Sequence, residues 1–162
     1  MKGLFIRGLQ GIFNKLIIIL AFLIYPSLNF SQVYHIDNED YISRVILDNE
    51  YIVISKFKSD SGNFISTLGG YYQLNEGAYV INLEFNSNYD QDSIKSLSIV
   101  KTSKWKSISK ENNTLKGKWV MSGRYNNGEF RTRNTDLPRK TMKVLIDGFF
   151  QWIAFNTETF KF

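Results

Sequence analysis

The chain alternates apolar and polar side chains along Tyr79-Val-Ile-Asn-Leu-Glu-Phe85. Because successive side chains of a strand point to opposite faces, this pattern predicts a half-buried β-strand with Tyr79, Ile81, Leu83 and Phe85 on its apolar face. A second stretch, Tyr51-Ile-Val-Ile-Ser-Lys-Phe57, is dense in the β-branched and aromatic residues that strands favour. The two stretches together indicate a β-rich protein.

Turn-forming residues separate these strands from others. Clusters of Ser, Asn, Asp and Gly predict turns at 58–63, 75–77, 126–128 and 147–148. Further strands are then predicted at 64–74, at 94–105, around Trp119, and on both sides of the last turn within 140–155. A short helix is a weaker expectation at 38–44. Short strands with turns at this spacing are typical of an antiparallel barrel or sandwich, so the predicted fold class is all-β.

Residues 1–31 have the pattern of a secretory signal peptide. Three basic residues precede Leu16–Tyr25, ten residues that are all apolar or aromatic, and Pro26 ends this run. A membrane-spanning helix needs about 20 apolar residues, so the run is short for one. We expect a secreted or periplasmic protein with cleavage after Ser31; an uncleaved leader would instead anchor the chain in the membrane.

Composition excludes several classes of function. The chain has no cysteine and one histidine, His35, which leaves no thiolate nucleophile, no Cys-based zinc site and no multi-His metal site. Of its 20 Lys and Arg residues, three lie in the leader, leaving 17 against 15 Asp and Glu. This balance gives no basic footprint for nucleic acid. We expect that the protein is not an enzyme and that it binds no cofactor, no resident metal and no nucleic acid.

The second half of the chain resembles the first at a shift of 98 residues. The shift places Ile46-Leu47 on Val144-Leu145, Asn49 on Asp147, Tyr51 on Phe149 and Phe57 on Phe155. Self-similarity of this kind predicts two copies of one structural unit.

The repeat sets the expected domain organisation. A first repeat covers 33–105 and a polar linker covers 106–114. Residues 115–162 are the start of a second, incomplete repeat. The first copy continues into a Gly-rich strand that the second lacks, so we expect a chain truncated within its second repeat. The alternative is that the first copy lacks its first strand and the strand of Trp119 replaces it, giving one barrel from one and a half repeats.

Two motifs carry a family resemblance. Leu115-Lys-Gly-Lys-Trp119 resembles the Gly-x-Trp opening of a lipocalin-like barrel. The segments Asp136–Leu145 and Phe150–Thr159 resemble bacterial "membrane or secreted proteins", which have a signal peptide and two tandem lipocalin-like repeats. Leu68-Gly69-Gly70-Tyr71 is similar to the Gly-rich segment of their first repeat. The resemblance implies an antiparallel lipocalin-like β-barrel or half-barrel after an N-terminal signal helix, and no established activity.

Trp119, Phe150 and Trp152 are the candidate ligand-binding residues. A small barrel is filled by its own side chains or holds one small ligand. Period two places Phe150 and Trp152 on one face of the 149–155 strand, and only one face can line an interior. The leading hypothesis is non-catalytic burial of a small hydrophobic ligand against these residues. The alternative is a structural or interaction protein of the cell envelope, with a filled barrel core and another envelope protein as its partner.

Three polar clusters are better interpreted as solvated segments than as sites. Asn88–Ser93 copies the first half of a calcium loop, but Ser93 and Ile99 stand where the loop needs Gly and Glu. The other two clusters are a weak metal candidate, His35, Asp37, Glu39 and Asp40, and an anion-binding candidate, Arg131, Arg133, Arg139 and Lys140 around Asp136.

Overall fold

The computed structural model describes residues 32–88, 94–109 and 116–160, so the expected leader lies outside the described residues. Within these ranges all the regular structure is antiparallel β, as predicted. The helix expected at 38–44 is wrong, because most of this stretch belongs to a strand. The strands are β1 Gln32–Asp37, β2 Tyr41–Leu47, β3 Tyr51–Lys58, β4 Phe64–Asn75, β5 Ala78–Asn86, β6 Ser96–Val100, β7 Lys106–Ser107, β8 Gly117–Val120, β9 Gly123–Asn126, β10 Glu129–Thr132, β11 Arg139–Ile146 and β12 Phe149–Asn156.

The strands form three sheets. A main sheet has the order β6-β5-β4-β3-β2-β1-β7, a small sheet has the order β12-β11-β8, and β9 and β10 form a separate hairpin. Among the described residues no sheet closes into a barrel. The segment expected to link two repeats begins with β7, which pairs with β1 through Tyr34 and His35.

The main sheet is strongly curled. Trp105, in the connection between β6 and β7, packs edge-on against Tyr34 of β1 with ring centroids 5.4 Å apart and stacks on Tyr79 of β5 at 5.9 Å. In a flat sheet these strands would lie about 19 Å apart, too far for one side chain to contact both. The concave side of the curl therefore encloses its own core, formed by Tyr34, Val45, Leu47, Ile52, Ile81 and Leu83.

The convex face of the main sheet packs against the small sheet. The rings of Phe85 and Phe155 meet there with centroids 5.0 Å apart. The guanidinium of Arg44 lies 5.4 Å from the Phe57 ring centroid and 5.3 Å from that of Phe149, and so bridges the two sheets. The second core is formed by Val33, Ile46, Tyr51, Val53, Phe85, Met142, Val144, Ile146, Ile153 and Phe155.

A β-bulge divides the side chains of β5 between these cores. Gly69 pairs with Phe85 and Gly70 with Leu83, so Glu84 is an extra residue on β5. The bulge turns Phe85 to the convex face while Leu83 stays on the concave face. The prediction that Tyr79, Ile81, Leu83 and Phe85 share one face is therefore wrong for Phe85.

The small sheet repeats the arrangement of β1, β2 and β3. Val45 pairs with Ile54 in the β2–β3 hairpin, and Lys143 pairs with Trp152 in the β11–β12 hairpin, the same register at a shift of 98 residues. The outer strand β8 pairs with β11 as β1 pairs with β2. The alternative in which the strand of Trp119 replaces a missing first strand is wrong, because β1 occupies that place.

Candidate functional site

An apolar pocket of about 370 Å³ opens on the concave face of the main sheet. Its walls come from β1, β2, β3, β4 and β6, and the Trp105 indole lines it from the β6–β7 connection. This volume is near the lower end of the range for small-molecule sites. The lining side chains are Ile36, Ser43, Val45, Ile54, Lys56, Leu68, Leu97, Ile99, Val100 and Trp105.

Strand alternation brings these residues together. In the β2–β3 hairpin, Val45 is opposite Ile54 and Ser43 is opposite Lys56, so all four side chains point to the same face. The curl of the sheet then brings β6 across from β1, and the gap between them is the pocket. The floor is continuous with the concave-face core, which holds the pocket walls in place.

Lys56 is the only charged residue in the lining of this pocket. Its Nζ lies 4.9 Å from the centroid of the Tyr41 ring. Two ion pairs are found among the described residues, Lys106 with Asp37 and Lys116 with Asp147. Lys56 is in neither of them, so no carboxylate of the described residues forms an ion pair with it. An apolar pocket with one cationic group at its side suits an apolar molecule that carries an anionic group.

The sequence-predicted residues lie elsewhere, on the outward face of the small sheet. Trp119 is 52% exposed, and Phe150 and Trp152 are each 63% exposed. Trp119 and Trp152 flank Lys143 in one row across three strands and line an open groove of about 340 Å³. The expectation that these three residues face an interior is wrong, because the opposite face of β12 carries the buried residues Ile153 and Phe155.

The strands β1, β2 and β3 form a first unit, and β8, β11 and β12 form a second unit with the same pairing. The pocket and the exposed groove lie on equivalent faces of these two units. Under the pairing described above, Ile54 corresponds to Trp152 and Ile52 to Phe150, while Tyr34 of β1 corresponds to Trp119 of β8. In the main sheet this face is covered by the curl; in the small sheet it is open. The 98-residue shift in the sequence was the signal that could have directed attention from Trp152 to Ile54 and its neighbour Lys56.

A polar cluster joins the two sheets beside the convex-face core. The buried Tyr51 hydroxyl donates a hydrogen bond of 2.7 Å to Glu84 Oε2. Lys118 Nζ lies 4.5 Å from the Tyr51 ring centroid and 3.7 Å from that of Tyr71. Burial, and then the Glu84 carboxylate, raise the pKa of Tyr51, so its hydroxyl stays protonated and acts as a donor. The cluster positions β8 against the main sheet.

The metal candidate at the start of the chain is not assembled in the described structure. His35 and Asp37 lie on β1, and the described residues contain no group of three His, Asp or Glu side chains that could hold a metal ion. Arg44 Nε donates to His35 Nε2 at 3.3 Å. Burial, and then the Arg44 charge, lower the pKa of His35.

The remaining candidates are loops. The Arg133 guanidinium donates a 2.7 Å hydrogen bond to the Arg139 carbonyl, which closes the loop before β11. Most of the calcium-like stretch, residues 89–93, lies outside the described residues.

Comparison with family models, with curated proteins and with solved structures found no match to this chain. No helix in residues 32–88, 94–109 or 116–160 has the length and hydropathy that crossing a membrane requires.

Proposed function

We propose that this protein is an exported, non-catalytic binding protein that holds one small apolar molecule with an anionic group in the pocket of the main sheet. The observation that supports this proposal is the pocket of about 370 Å³, which is lined mainly by aliphatic side chains and Trp105 and contains one charged side chain, Lys56. A medium-chain fatty acid has this combination of an apolar chain and a carboxylate.

The energetics of such a ligand are those of burial. Eight methylenes of a decanoate chain contribute about 6 kcal/mol at about 0.8 kcal/mol each. The cost of association consumes a large part of this, about 4 kcal/mol or more. A contact between the carboxylate and Lys56 adds about 1 kcal/mol at a partly exposed site. The sum is about 3 kcal/mol, so we expect a dissociation constant in the millimolar range or weaker.

The fluorescence of Trp105 tests this proposal. The chain has three tryptophans, so Trp119→Phe combined with Trp152→Phe leaves Trp105 as the only one. Titration with decanoate is expected to change its emission saturably, with one ligand per chain. Lys56→Met is expected to weaken decanoate binding at least fivefold while leaving decanol binding unchanged.

Lys143→Met is the matched control, since it removes a lysine from the equivalent face of the small sheet. It is expected to leave decanoate binding unchanged. An emission of Trp105 that decanoate does not alter, or an equal effect of the two lysine variants, contradicts the proposal.

We further infer that residues 1–31 export the chain, and that β1–β3 and β8, β11 and β12 derive from two copies of a lipocalin-like repeat. The common strand order and hairpin register support the second inference. The charge and apolar pattern of 1–31 supports the first. Cell fractionation and N-terminal sequencing test it: we expect Gln32 as the first residue of protein recovered outside the cytoplasm, and protein that begins at Met1 and stays in the cytoplasm would contradict export.

The exposed aromatic face of the small sheet favours a second role, in protein interaction. Monomeric proteins rarely expose contiguous apolar patches of several hundred Å². Phe150 and Trp152 of β12 and Trp119 of β8 lie on the same face of the small sheet, on either side of Lys143, and each is more than half exposed. The pocket and this face are on different sheets, so the two roles do not compete.

A further inference from the structure

The pocket of the main sheet is two rows of side chains deep. The strand register places the residues of the first row opposite one another, and they are Ile36, Ser43 and Lys56. The residues of the second row are Val45, Ile54 and Leu68. Beyond the second row, Leu47 pairs with Ile52 in the concave-face core. Beyond the first row, Tyr41 pairs with Lys58, which is exposed. The pocket therefore opens at the row of Lys56 and is closed by the core at its other end.

This arrangement fixes the direction in which an apolar anion enters the pocket. Lys56, at the open end, is the charged residue that a carboxylate can contact there. The second row consists of aliphatic side chains, so a carboxylate placed among them would lose its hydration without gaining a hydrogen-bond partner. The carboxylate therefore stays at the first row, and the apolar end of the ligand points into the second row.

The indole of Trp105 separates the second row from the aromatic side chains behind it. In the strand register Tyr34 belongs to this row, opposite Val45, yet Tyr34 is buried and is not part of the pocket lining. Trp105 lines the pocket, and its ring packs edge-on against the Tyr34 ring with centroids 5.4 Å apart. It also stacks on Tyr79, with centroids 5.9 Å apart and ring planes 11° from parallel. Trp105 is therefore the wall between the pocket and these two tyrosines.

Contacts on several sides hold this wall in place. The Trp105 N–H donates a hydrogen bond of 3.1 Å to the Thr102 carbonyl, which closes a turn before the indole. Directly after Trp105, β7 pairs with β1. Tyr79, on which the indole stacks, is itself packed edge-on by Tyr72 with ring centroids 5.2 Å apart. Because both its backbone and its ring are held, the wall moves only at the cost of disturbing packed neighbours.

We propose, on the basis of the pocket function proposed above, that Trp105 is the residue that sets the longest apolar chain the pocket accepts. Each methylene that the pocket buries strengthens binding about fourfold. A methylene that reaches the indole gains nothing from burial, because it must displace the wall or remain in water. Affinity therefore rises along a series of saturated carboxylates and then reaches a plateau, and Trp105 determines the chain length at which the plateau begins.

Trp105→Ala and Trp105→Phe are the variants that test this proposal. Removal of the indole joins the pocket to the space beside Tyr34 and Tyr79, so the plateau is expected at a longer chain. The quantity to compare is the dissociation constant of decanoate divided by that of tetradecanoate. Trp105→Ala is expected to raise this ratio at least tenfold over the unmodified protein, the effect of about two further buried methylenes. Trp105→Phe keeps a ring on Tyr79 and is expected to raise the ratio about fourfold, the effect of one methylene.

Chemical-shift titration by heteronuclear NMR measures weak dissociation constants of this kind. The ligands are octanoate, decanoate, dodecanoate and tetradecanoate, each kept below the concentration at which it forms micelles. Circular dichroism and thermal unfolding establish that each variant is folded, and Trp105→Phe carries the test if Trp105→Ala does not fold. Trp119→Ala is the matched control, because it removes a tryptophan that lies on the small sheet, outside the pocket lining. It is expected to leave the ratio unchanged.

The direction of the bound chain gives a second measurement, which needs no change at Trp105. Intermolecular nuclear Overhauser effects are expected between the terminal methyl group of decanoate and the indole protons of Trp105. The methylene next to the carboxylate is expected to show them with the side chain of Lys56 instead. The reverse pattern contradicts the assignment of Trp105 as the wall that the chain end meets.

The possible failures are distinguishable. Trp105 variants that bind decanoate with an unchanged ratio overturn the role of Trp105 and leave the proposed function of the pocket standing. An equal change of the ratio in Trp119→Ala also overturns it, because the effect would then not arise at the pocket wall. An unmodified protein that binds none of the four carboxylates overturns the pocket function and the role of Trp105 together.

Discussion

Replacement of Gly70 by alanine is the most direct test of the bulge that separates the two cores. A Cβ at Gly70 would lie 1.9 Å from the Asn82 carbonyl oxygen and 2.9 Å from the Glu84 backbone nitrogen. Both neighbours are backbone atoms of the paired strand, so no side-chain rotation relieves the clash. To reach an ordinary contact of about 3.4 Å, β5 must move about 1.5 Å away from β4.

The expected cost follows from what this movement breaks. Two or three ladder hydrogen bonds next to the bulge are lost or weakened, at about 1 kcal/mol each. Strain and shifted packing in the cores on both faces add about 1–3 kcal/mol. We therefore expect Gly70→Ala to lower the free energy of unfolding by about 3–6 kcal/mol, a large part of the roughly 5–15 kcal/mol by which native domains are stable.

Urea unfolding followed by circular dichroism measures this loss, with Gly62→Ala as the control. A Cβ at Gly62 meets nothing within 4 Å, and its φ of +68° imposes only the left-handed backbone cost of about 1–2 kcal/mol. A Gly70→Ala protein as stable as Gly62→Ala would refute the bulge geometry and, with it, the placement of Phe85 on the convex face.

Two further predictions concern buried and half-buried polar groups. Tyr51→Phe removes the donor to Glu84 and is expected to destabilise the protein by about 1–3 kcal/mol, since the carboxylate loses its buried partner; unchanged urea unfolding would contradict this. Burial, and then the Arg44 charge, lower the pKa of His35 in the folded state. The unfolded chain therefore binds more protons, so the free energy of unfolding falls as the pH drops from about 6.5 towards the lower pKa of the folded state. His35→Gln is expected to flatten this part of the stability profile between pH 7 and 5, and an unaltered slope would show that the loss lies elsewhere.

The all-β class and the hairpins could be predicted because their signals are local. The turns at Asn127-Gly128 and Asp147-Gly148 need residues that tolerate positive φ, and the structure has φ of 50° and 84° at the first and 48° and 82° at the second. Once a two-residue turn is placed, it fixes the register of the strands on either side. The 98-residue shift aligns the two hairpins pair for pair for the same reason.

The bulge and the pocket could not be predicted because they depend on contacts distant in sequence. Nothing in the alternation of 79–85 marks Glu84 as an extra residue; the bulge exists because Gly69 and Gly70, on the neighbouring strand, let the backbones approach closely. The pocket depends in turn on the curl that brings β6 across from β1. A pattern of period two gives the faces of a strand but not the curvature of its sheet.

The prediction of which face of β12 lines an interior was wrong for a different reason. Both faces of this strand are aromatic, so alternation separates Phe150 and Trp152 from Phe155 without saying which set is buried. The structure buries Phe155 against the main sheet and leaves the other face open. A strand that is apolar on both faces is typical of a sheet covered on both sides.

The two units differ in the size of the side chains on their equivalent faces. Where the first unit has Tyr34 and Ile54, the second has Trp119 and Trp152, so two tryptophans replace smaller side chains. The curl of the first unit leaves about 370 Å³ unfilled, and larger residues on the same surface would occupy such a space. The open face therefore suits packing against another protein surface better than enclosing a ligand, which is why we propose the main sheet for small-molecule binding.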